Sequence, residues 1–303
     1  MWKIFLLILL TIFIYQYDCS ADIDTTYVEK YNHKMLVNAY LAKNYIAIQK
    51  DDRTFLPNNP MNLGIGFFVK NTALNFAYNF KLNFTANPKY GETESFDIQI
   101  HYYGRKFASD LFYQSYKGFF ADNREIEIYP DLKLTLIGVE TAYLFNGDKF
   151  SSKAAFADGE KQIKSAGSFA LGGGFYRTHI KNGQTLFDTE KEVSNNLQIG
   201  INAGYAYSYV INENWFLSGM LTAGLHFGNE ESRLKDGKIK VTPNVFNRLA
   251  VGYNQPSLAL SLSFLEHLNY FNFSDADAIK LNSINFRLNF TKRIDWSLFE
   301  KKE

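Results

Sequence analysis

The clearest structural signal in the chain is Leu74-Asn75-Phe76-Ala77-Tyr78-Asn79-Phe80-Lys81-Leu82-Asn83-Phe84, whose even-numbered residues are all large and apolar or aromatic. The odd-numbered residues are Asn, Ala or Lys. Successive side chains of a β-strand point to opposite faces, so this alternation predicts a strand with one apolar and one polar face. Its length suits a tilted transmembrane strand, which needs roughly 9–11 residues. We therefore predict one strand of a membrane barrel here.

The same alternation recurs along most of the chain. Its clearest instances are Phe96–Tyr102, Leu197–Tyr209, Trp215–Phe227, Leu258–Phe264 and Ile284–Phe290. With the weaker instances, the pattern gives about 12 strands, with about 10–14 compatible with the sequence, and single-chain bacterial barrels have an even number. The sequence therefore predicts an all-β fold, namely an antiparallel transmembrane β-barrel.

The predicted strands are joined by connections of two kinds. Short turns are predicted at 104–105 and 211–214, and longer polar loops at 117–131, 180–194 and 229–244. Outer-membrane barrels have short periplasmic turns and longer external loops. This regular change in length favours a barrel over a water-soluble β-sandwich.

One connection breaks the rule. Residues 146–164 stand where a short turn is expected, although Asn146-Gly147 is a strong hairpin signal. The segment either adds a short strand at Phe150–Phe156 or folds as a periplasmic or lumenal insert.

The N-terminus has the form of a secretory signal peptide. Lys3 precedes an apolar run, Ile4–Ile14, that is too short for a helical membrane span. Cleavage is expected after Ala21, and lipidation of Cys19 is the alternative. The predicted divisions are the signal peptide 1–21, a periplasmic lead-in 22–34, the barrel 35–292 and a C-terminal tail 293–303.

The composition excludes several classes of function. A net charge of +1 gives no general electrostatic attraction to nucleic acid. Cys19 is the single cysteine, so cleavage after Ala21 would leave no disulfide and no cysteine-based site. An aromatic content of 17% with a mean hydropathy of −0.23 suits a barrel and also a soluble all-β protein.

No enzyme motif stands out. The chain has no Gly-x-Ser-x-Gly elbow, no His-Glu-x-x-His zinc motif and no phosphate-binding Gly-Lys-Ser/Thr loop. A lipid hydrolase would need a nucleophile with a positioned base, and His101, His226 and His267 lie in no such local pattern. Asp275 and Asp277 supply too few oxygens for calcium. The sequence thus predicts no enzyme, no cofactor and no metal site.

The inward faces of the predicted strands carry charges of both signs. The lumen-lining candidates are Lys81, Asp97, Asp110, Glu140, Arg248 and Arg287. Charges enclosed in a barrel are expected to pair or to face water. They form either a structural network that fills the barrel or the wall of a narrow polar pore. Barrel size leaves both open, because side chains fill barrels of about 8 strands and about 16–18 strands leave a channel.

Several motifs together resemble a known family. They include Leu56-Pro57-Asn58, Asn62-Leu63-Gly64-Ile65-Gly66, Tyr103-Gly104-Arg105-Lys106 and Gln162-Ile163-Lys164-Ser165-Ala166-Gly167-Ser168. Over roughly residues 30–292 the chain resembles an uncharacterised family of Gram-negative outer-membrane β-barrel proteins, a domain of unknown function. The resemblance implies a barrel in the outer membrane and brings no activity or catalytic residue.

Three functions are compatible with these features. The first is a narrow pore or a barrel that binds or transports small solutes. The alternative is a closed structural or envelope-assembly barrel whose loops bind protein partners, and an outer-membrane lipid hydrolase is a third. The expected surroundings are outer-membrane lipid and lipopolysaccharide, with envelope proteins as further partners and no nucleic acid.

Overall fold

The computed structural model describes residues 23–31, 35–69, 72–122, 124–183, 192–272 and 278–294. Side chains are not described at 68–69, 72–81, 272 and 278. The predicted signal peptide 1–21 and positions 295–303 of the tail lie outside the described residues.

Long antiparallel strands form a closed barrel, which confirms the predicted all-β antiparallel fold. The strands of the ring are β2 (Met35–Lys50), β4 (Met61–Val69), β5 (Thr72–Leu82), β6 (Glu94–Tyr103), β7 (Phe107–Asp122), β8 (Ile126–Leu144), β10 (Ala166–Lys181), β11 (Val193–Val210), β12 (Trp215–Glu230), β13 (Lys240–Asn254), β14 (Leu258–Asn272) and β15 (Ala278–Ile294). Pairing of β15 with β2 closes the ring. Three shorter strands are β1 (Val28–Lys30), β3 (Arg53–Leu56) and β9 (Glu160–Gln162).

The number of strands around the barrel changes along its axis. At the end with the short turns, β4, β5 and β6 lie between β2 and β7, so the described ring contains 12 strands. At the long-loop end, β3 alone bridges β2 and β7, so the described ring there contains 10. A bulge in β7 at Gly118 marks the change, since the register shifts between Lys117 and Phe119.

Gly118 is required at this bulge. Its φ of +89° is unfavourable for other residues, and a Cβ atom there would lie 2.2 Å from the backbone oxygen of Glu92. Thr93 Oγ1 donates a hydrogen bond to the Gly118 oxygen at 2.8 Å. The loop that precedes β6 therefore packs directly against the bulge, where β7 exchanges β6 for β3 as its partner.

The two faces of the wall have opposite character. Outward side chains along β11 include Ile199, Ile201 and Tyr205, all more than 40% exposed, whereas the alternate residues Gln198 and Asn202 are buried inside. This is the polarity that the alternating sequence predicts.

The connection at 146–164 folds as an insert. It contains the helix Ser152–Phe156 and strand β9, which pairs with β1. Ser152, Ala154 and Ala155 are buried, and Phe156 packs near Arg248 on the inner wall. A strand over Phe150–Phe156 was the wrong alternative, because 152–156 is helical. We refer to residues 146–164 as the plug.

Two predicted loops are shorter than expected. The loop predicted at 117–131 is wrong over most of its length, since β7 continues to Asp122 and β8 begins at Ile126. Within 229–244, the helix Glu231–Lys235 occupies the centre and strands occupy both edges.

In the part of the chain that the structure describes, no helix is long and apolar enough to cross a membrane.

Candidate functional site: a polar cavity behind the plug

The long-loop end of the interior is filled by apolar side chains. We define the cap as the buried residues Ile46, Ile48, Phe55, Phe112, Tyr116, Phe119, Ala121, Leu132, Leu134, Leu136, Tyr176, Ile180, Phe271, Ile279 and Leu281. They come from β2, β3, β7, β8, β10, β14 and β15, which lie on different sides of the barrel. Close packing of this kind leaves little room for water between the strands.

The short-turn end is closed by the plug, which combines a small apolar cluster around Phe150 and Ala155 with a set of polar contacts. Arg105, in the turn between β6 and β7, donates a hydrogen bond to Glu160 Oε1 and forms a buried ion pair with it. Ser151 Oγ donates to Glu160 Oε2 at 2.6 Å. Lys153 Nζ lies 3.7 Å from Glu160 Oε1. One buried carboxylate thus connects the plug to the barrel wall.

A second carboxyl group, Asp158, anchors the tip of the plug. Its Oδ2 accepts hydrogen bonds from Thr291 Oγ1 at 2.9 Å and from Ser261 Oγ at 3.2 Å. Arg293 donates to the backbone oxygen of Asp158. Burial raises the pKa of Asp158 above its usual value. Burial therefore makes this carboxyl group harder to ionise than an exposed aspartate.

Behind the plug lies a cavity of about 80 Å³, whose wall combines polar groups with apolar side chains such as Phe156 and Ala250. Its wall includes Arg248 from β13, Arg287, Asn285 and Asn289 from β15, and Asp158 from the plug. A cavity needs roughly 10–15 Å³ to hold a single water molecule. This volume is large enough for several waters or one small solute.

Arg248 is fixed on the cavity wall by a buried network. Its Nη2 donates to Asp110 Oδ1 at 2.7 Å, and its Nη1 donates to the Tyr103 hydroxyl. His101 Nδ1 is hydrogen-bonded to the same Asp110 oxygen. The charge of Arg248 is thus balanced by Asp110, as expected for a buried ion.

Glu140 and Asp97 lie on the inner face but are surrounded by neutral donors. The Tyr176 hydroxyl and the Asn202 side-chain amide both donate to Glu140. A Cβ atom on Gly174 would lie 2.2 Å from Glu140 Oε2, so a glycine makes room for this carboxyl group.

The structure thus separates the six predicted lumen-lining residues into groups. Arg248 and Arg287 line the cavity, and Asp110 lies directly behind Arg248. Asp97 and Glu140 lie in side-chain networks of the wall. The side chain of Lys81 lies outside the described residues.

Sequence reasoning missed the residues that hold the plug. Asp158, Glu160 and Arg293 were not among the candidates, although each makes a buried contact between plug and barrel. The unexpected length of the 146–164 connection indicates an insert. The sequence does not show which barrel residues contact that insert.

The four histidines that the structure describes have amide, carboxylate or aromatic neighbours. His226 Nδ1 lies 2.9 Å from Asn269 Oδ1, and its Nε2 lies 2.8 Å from the Asn244 side-chain nitrogen. His267 is stacked on Tyr176 with ring centroids 4.6 Å apart. Among the described residues, no group of three or more His, Cys, Asp or Glu side chains is placed to hold a metal ion.

Comparison with solved structures finds outer-membrane proteins with low sequence identity. The Pseudomonas putida toluene transporter TodX is 7% identical, with 88% of this chain and 91% of that chain covered and a TM-score of 0.29. A bacterial polysaccharide outer-membrane secretin is 7% identical, with 86% and 99% covered and a TM-score of 0.35. A Pseudomonas aeruginosa FadL homologue is 8% identical, with 86% and 90% covered and a TM-score of 0.27.

The sequence comparisons give the family. No curated protein sequence matches the chain. The family model described as "Domain of unknown function (DUF4421)" matches residues 22–291, which is most of the chain. This agrees with the resemblance noted in the sequence, and the chain belongs to the DUF4421 family.

Proposed function

We propose that this protein is an outer-membrane β-barrel that binds a small polar solute in the cavity behind its plug. The observation that carries the proposal is the cavity itself, which is lined on one side by the plug residues Ala155, Phe156 and Asp158 and elsewhere by polar side chains of the barrel wall. Solute would enter from the short-turn side when the plug moves. The proposal assigns the barrel no catalytic role.

The outer face supports insertion into a bilayer. On β15, the outward residues Ile284, Phe286, Leu288 and Phe290 form an apolar run between the polar Asn282 and Lys292. Asn282 and Lys292 are about 33 Å apart at about 3.3 Å per residue. A strand tilt of about 40° reduces this to about 25 Å, the height of the apolar band of outer-membrane barrels.

Aromatic residues lie along the edge of this apolar face that is nearer the short turns. Tyr205, Tyr207 and Tyr209 lie outward on β11 near the short turns, and Trp215 packs against Tyr253 with ring centroids 5.4 Å apart. Amphipathic rings at this level form the interfacial girdles of membrane barrels. Outer-membrane lipid and lipopolysaccharide would contact the wall between these aromatic residues and the long-loop end. Export by the predicted signal peptide 1–21 would place the short turns in the periplasm.

The filled interior supports binding rather than a permanently open pore. The cap crosses the barrel on the long-loop side, and Gln198 on β11 reaches the backbone oxygen of Tyr270 on β14 at 2.8 Å. Groups from strands that are not neighbours in the ring therefore meet inside the barrel. A continuous aqueous path would require the cap and the plug to rearrange together.

Planar-bilayer recording combined with a solute-binding assay tests the proposal. We expect the purified wild-type protein to give a silent bilayer and to retain a small polar solute saturably in detergent or nanodiscs. A steady conductance in the wild type would contradict the cap as a closure. Absence of retention for both charged and neutral small solutes would contradict the binding role.

A closed structural barrel with partner-binding loops is the second candidate. It is favoured by the long strands, since β8 has 19 residues and a membrane crossing needs roughly 9–11. The excess would extend β7 and β8 beyond the bilayer and offer a surface to other envelope proteins. Cross-linking in intact cells, followed by purification, should then recover one defined partner that is lost when residues 119–129 are shortened.

A further inference from the structure

Arg287 differs from the other interior arginines. Its guanidinium lines the cavity and stacks on Tyr40, with Cζ 4.3 Å from the ring centroid. Among the described residues, it forms no ion pair or side-chain hydrogen bond, and its Nε is buried without a partner. By contrast, Arg248 is paired with Asp110 and Arg293 donates to backbone and side-chain oxygens.

Asp97, a buried carboxyl group that interacts with Arg287, is already hydrogen-bonded to other side chains. Asp97 interacts electrostatically with Arg287, but no ion pair forms within 4 Å. The Asp97 oxygens instead accept hydrogen bonds from Gln114 at 3.0 Å, Asn44 at 3.2 Å and Tyr116 at 3.3 Å. The guanidinium is thus left with donors that face the cavity.

The remaining wall of the cavity has donors suited to oxygen atoms. Arg248 has an unpartnered Nε, and the amides of Asn285 and Asn289 are buried on either side of Arg287, where their existing hydrogen bonds to wall side chains are long, at 3.3–3.5 Å. Asp158 is the acidic side chain of the cavity lining, and its oxygen accepts bonds from Thr291 and Ser261. Arg287 is half-buried and its Nε is fully enclosed without a partner, so a bound anion would stabilise its charge.

We propose that Arg287 binds the oxyanion of a small solute, a carboxylate or a phosphate, in the cavity behind the plug. This inference rests on the proposed function and names its ligand class. A planar guanidinium can donate two parallel hydrogen bonds to either group. A cavity of about 80 Å³ admits only a small ligand, because pockets for drug-sized ligands measure roughly 300–1,000 Å³.

Isothermal titration calorimetry of the full barrel in nanodiscs tests this assignment. The probes are sodium acetate, inorganic phosphate and the neutral solute glycerol, at constant ionic strength. We expect saturable binding of acetate or phosphate that Arg287→Gln weakens by about 10-fold or more, equivalent to about 1.4 kcal/mol. Arg287→Lys should retain part of the affinity, since it keeps the charge and loses the fork. Arg124→Gln, a change at an exposed arginine, is the matched control and should have no effect.

The outcomes separate this inference from the function beneath it. If acetate and phosphate bind equally well to wild type and Arg287→Gln, or if only glycerol binds, the oxyanion site is overturned while solute binding stands. If none of the three probes binds, both are overturned. Heat-modifiable migration on gels should be the same for every variant, and the Arg287→Lys result separates loss of a ligand from loss of folding.

Discussion

The cap and the plug close the two ends of this barrel with different kinds of contact. The cap consists of apolar and aromatic side chains on the strands themselves, such as Leu134 and Tyr116, both fully buried. The plug is a separate segment between β8 and β10, held by Glu160, Asp158 and their hydrogen bonds. Removing the cap would mean separating strands, whereas moving the plug would expose only the apolar contacts of Phe150 and Ala155 and exchange the remaining polar contacts for contacts with water. The difference suggests that the short-turn end is the one that opens.

The largest effect is expected from Glu160→Ala in the plug. The change leaves Arg105 and Lys153 without their carboxylate, and removal of one partner of a buried ion pair costs about 3–5 kcal/mol. The plug should therefore leave its seat while the strands remain folded. A cysteine introduced as Ala154→Cys, at a buried plug position, should become accessible to maleimide in this background and stay protected without it.

A matched exposed pair provides the control. Asp131→Ala removes the partner of Lys117, whose ion pair of 3.5 Å is largely solvent-exposed. Such pairs contribute about 0–1 kcal/mol, so labelling of the plug cysteine should be unchanged. Equal labelling in the Glu160 and Asp131 variants would show that the ion pair does not hold the plug.

In the cap, Leu134→Ala should destabilise the whole barrel. Truncation of a fully buried leucine costs about 2–5 kcal/mol, because a cavity remains where the side chain packed. The measurement is the free energy of unfolding in urea with the barrel in detergent or lipid. Ile239→Ala, at a position 64% exposed, is the control and should change it little. Plug-cysteine labelling in Leu134→Ala should remain as in the wild type.

The outer wall gives the next prediction. Leu288→Arg places a charge in the middle of the apolar run on β15, where Leu288 is 45% exposed. Near the bilayer midplane this change costs about 2–4 kcal/mol of folding free energy. Glu213→Arg, in the exposed turn between β11 and β12, is the control. If both variants fold equally well into lipid vesicles, the apolar face does not contact the bilayer.

The smallest effect concerns pH. Burial raises the pKa of Asp158, so its contribution to stability is complete below the usual value of 3.8 and is lost as pH rises through the raised pKa. Asp158→Asn should remove this loss, leaving stability flatter between acid and neutral pH. The contribution of Asp24 to stability depends on pH in the opposite direction and is lost as pH falls, because hydrogen bonds from Thr26 lower the pKa of Asp24. Urea unfolding of both Asn variants across this range checks the two signs.

Sequence alone predicts the wall well and the interior poorly. The alternation in Leu197–Tyr209 and Ile284–Phe290 fixes strands and faces, because side-chain direction is local. Partners inside the barrel are not local: Arg248 and Asp110 are 138 residues apart, and Thr291 and Asp158 are 133 apart. Nothing in a single sequence relates them.

The strand ends were misjudged for a similar reason. Residues 117–131 contain many charged residues, with Gly118 and Pro130, among apolar ones such as Phe119, and this composition predicts a loop. In the structure these residues continue the β7–β8 ladder, where Phe119 pairs with Tyr129. Alternation of apolar and polar residues identifies a strand only where one face of the strand is apolar. Strand ends that extend beyond the apolar outer face of the barrel therefore lack the alternation.

Hydrogen–deuterium exchange of the wild-type barrel in nanodiscs tests the contrast between plug and cap most directly. Amides of the plug helix, such as Ala155 bonded to the Ser151 oxygen, should exchange by local opening far faster than those of β7 and β8 around Leu134. Exchange of both regions at one common rate would mean that the plug opens only when the barrel unfolds, and would contradict the account of the plug as a removable closure.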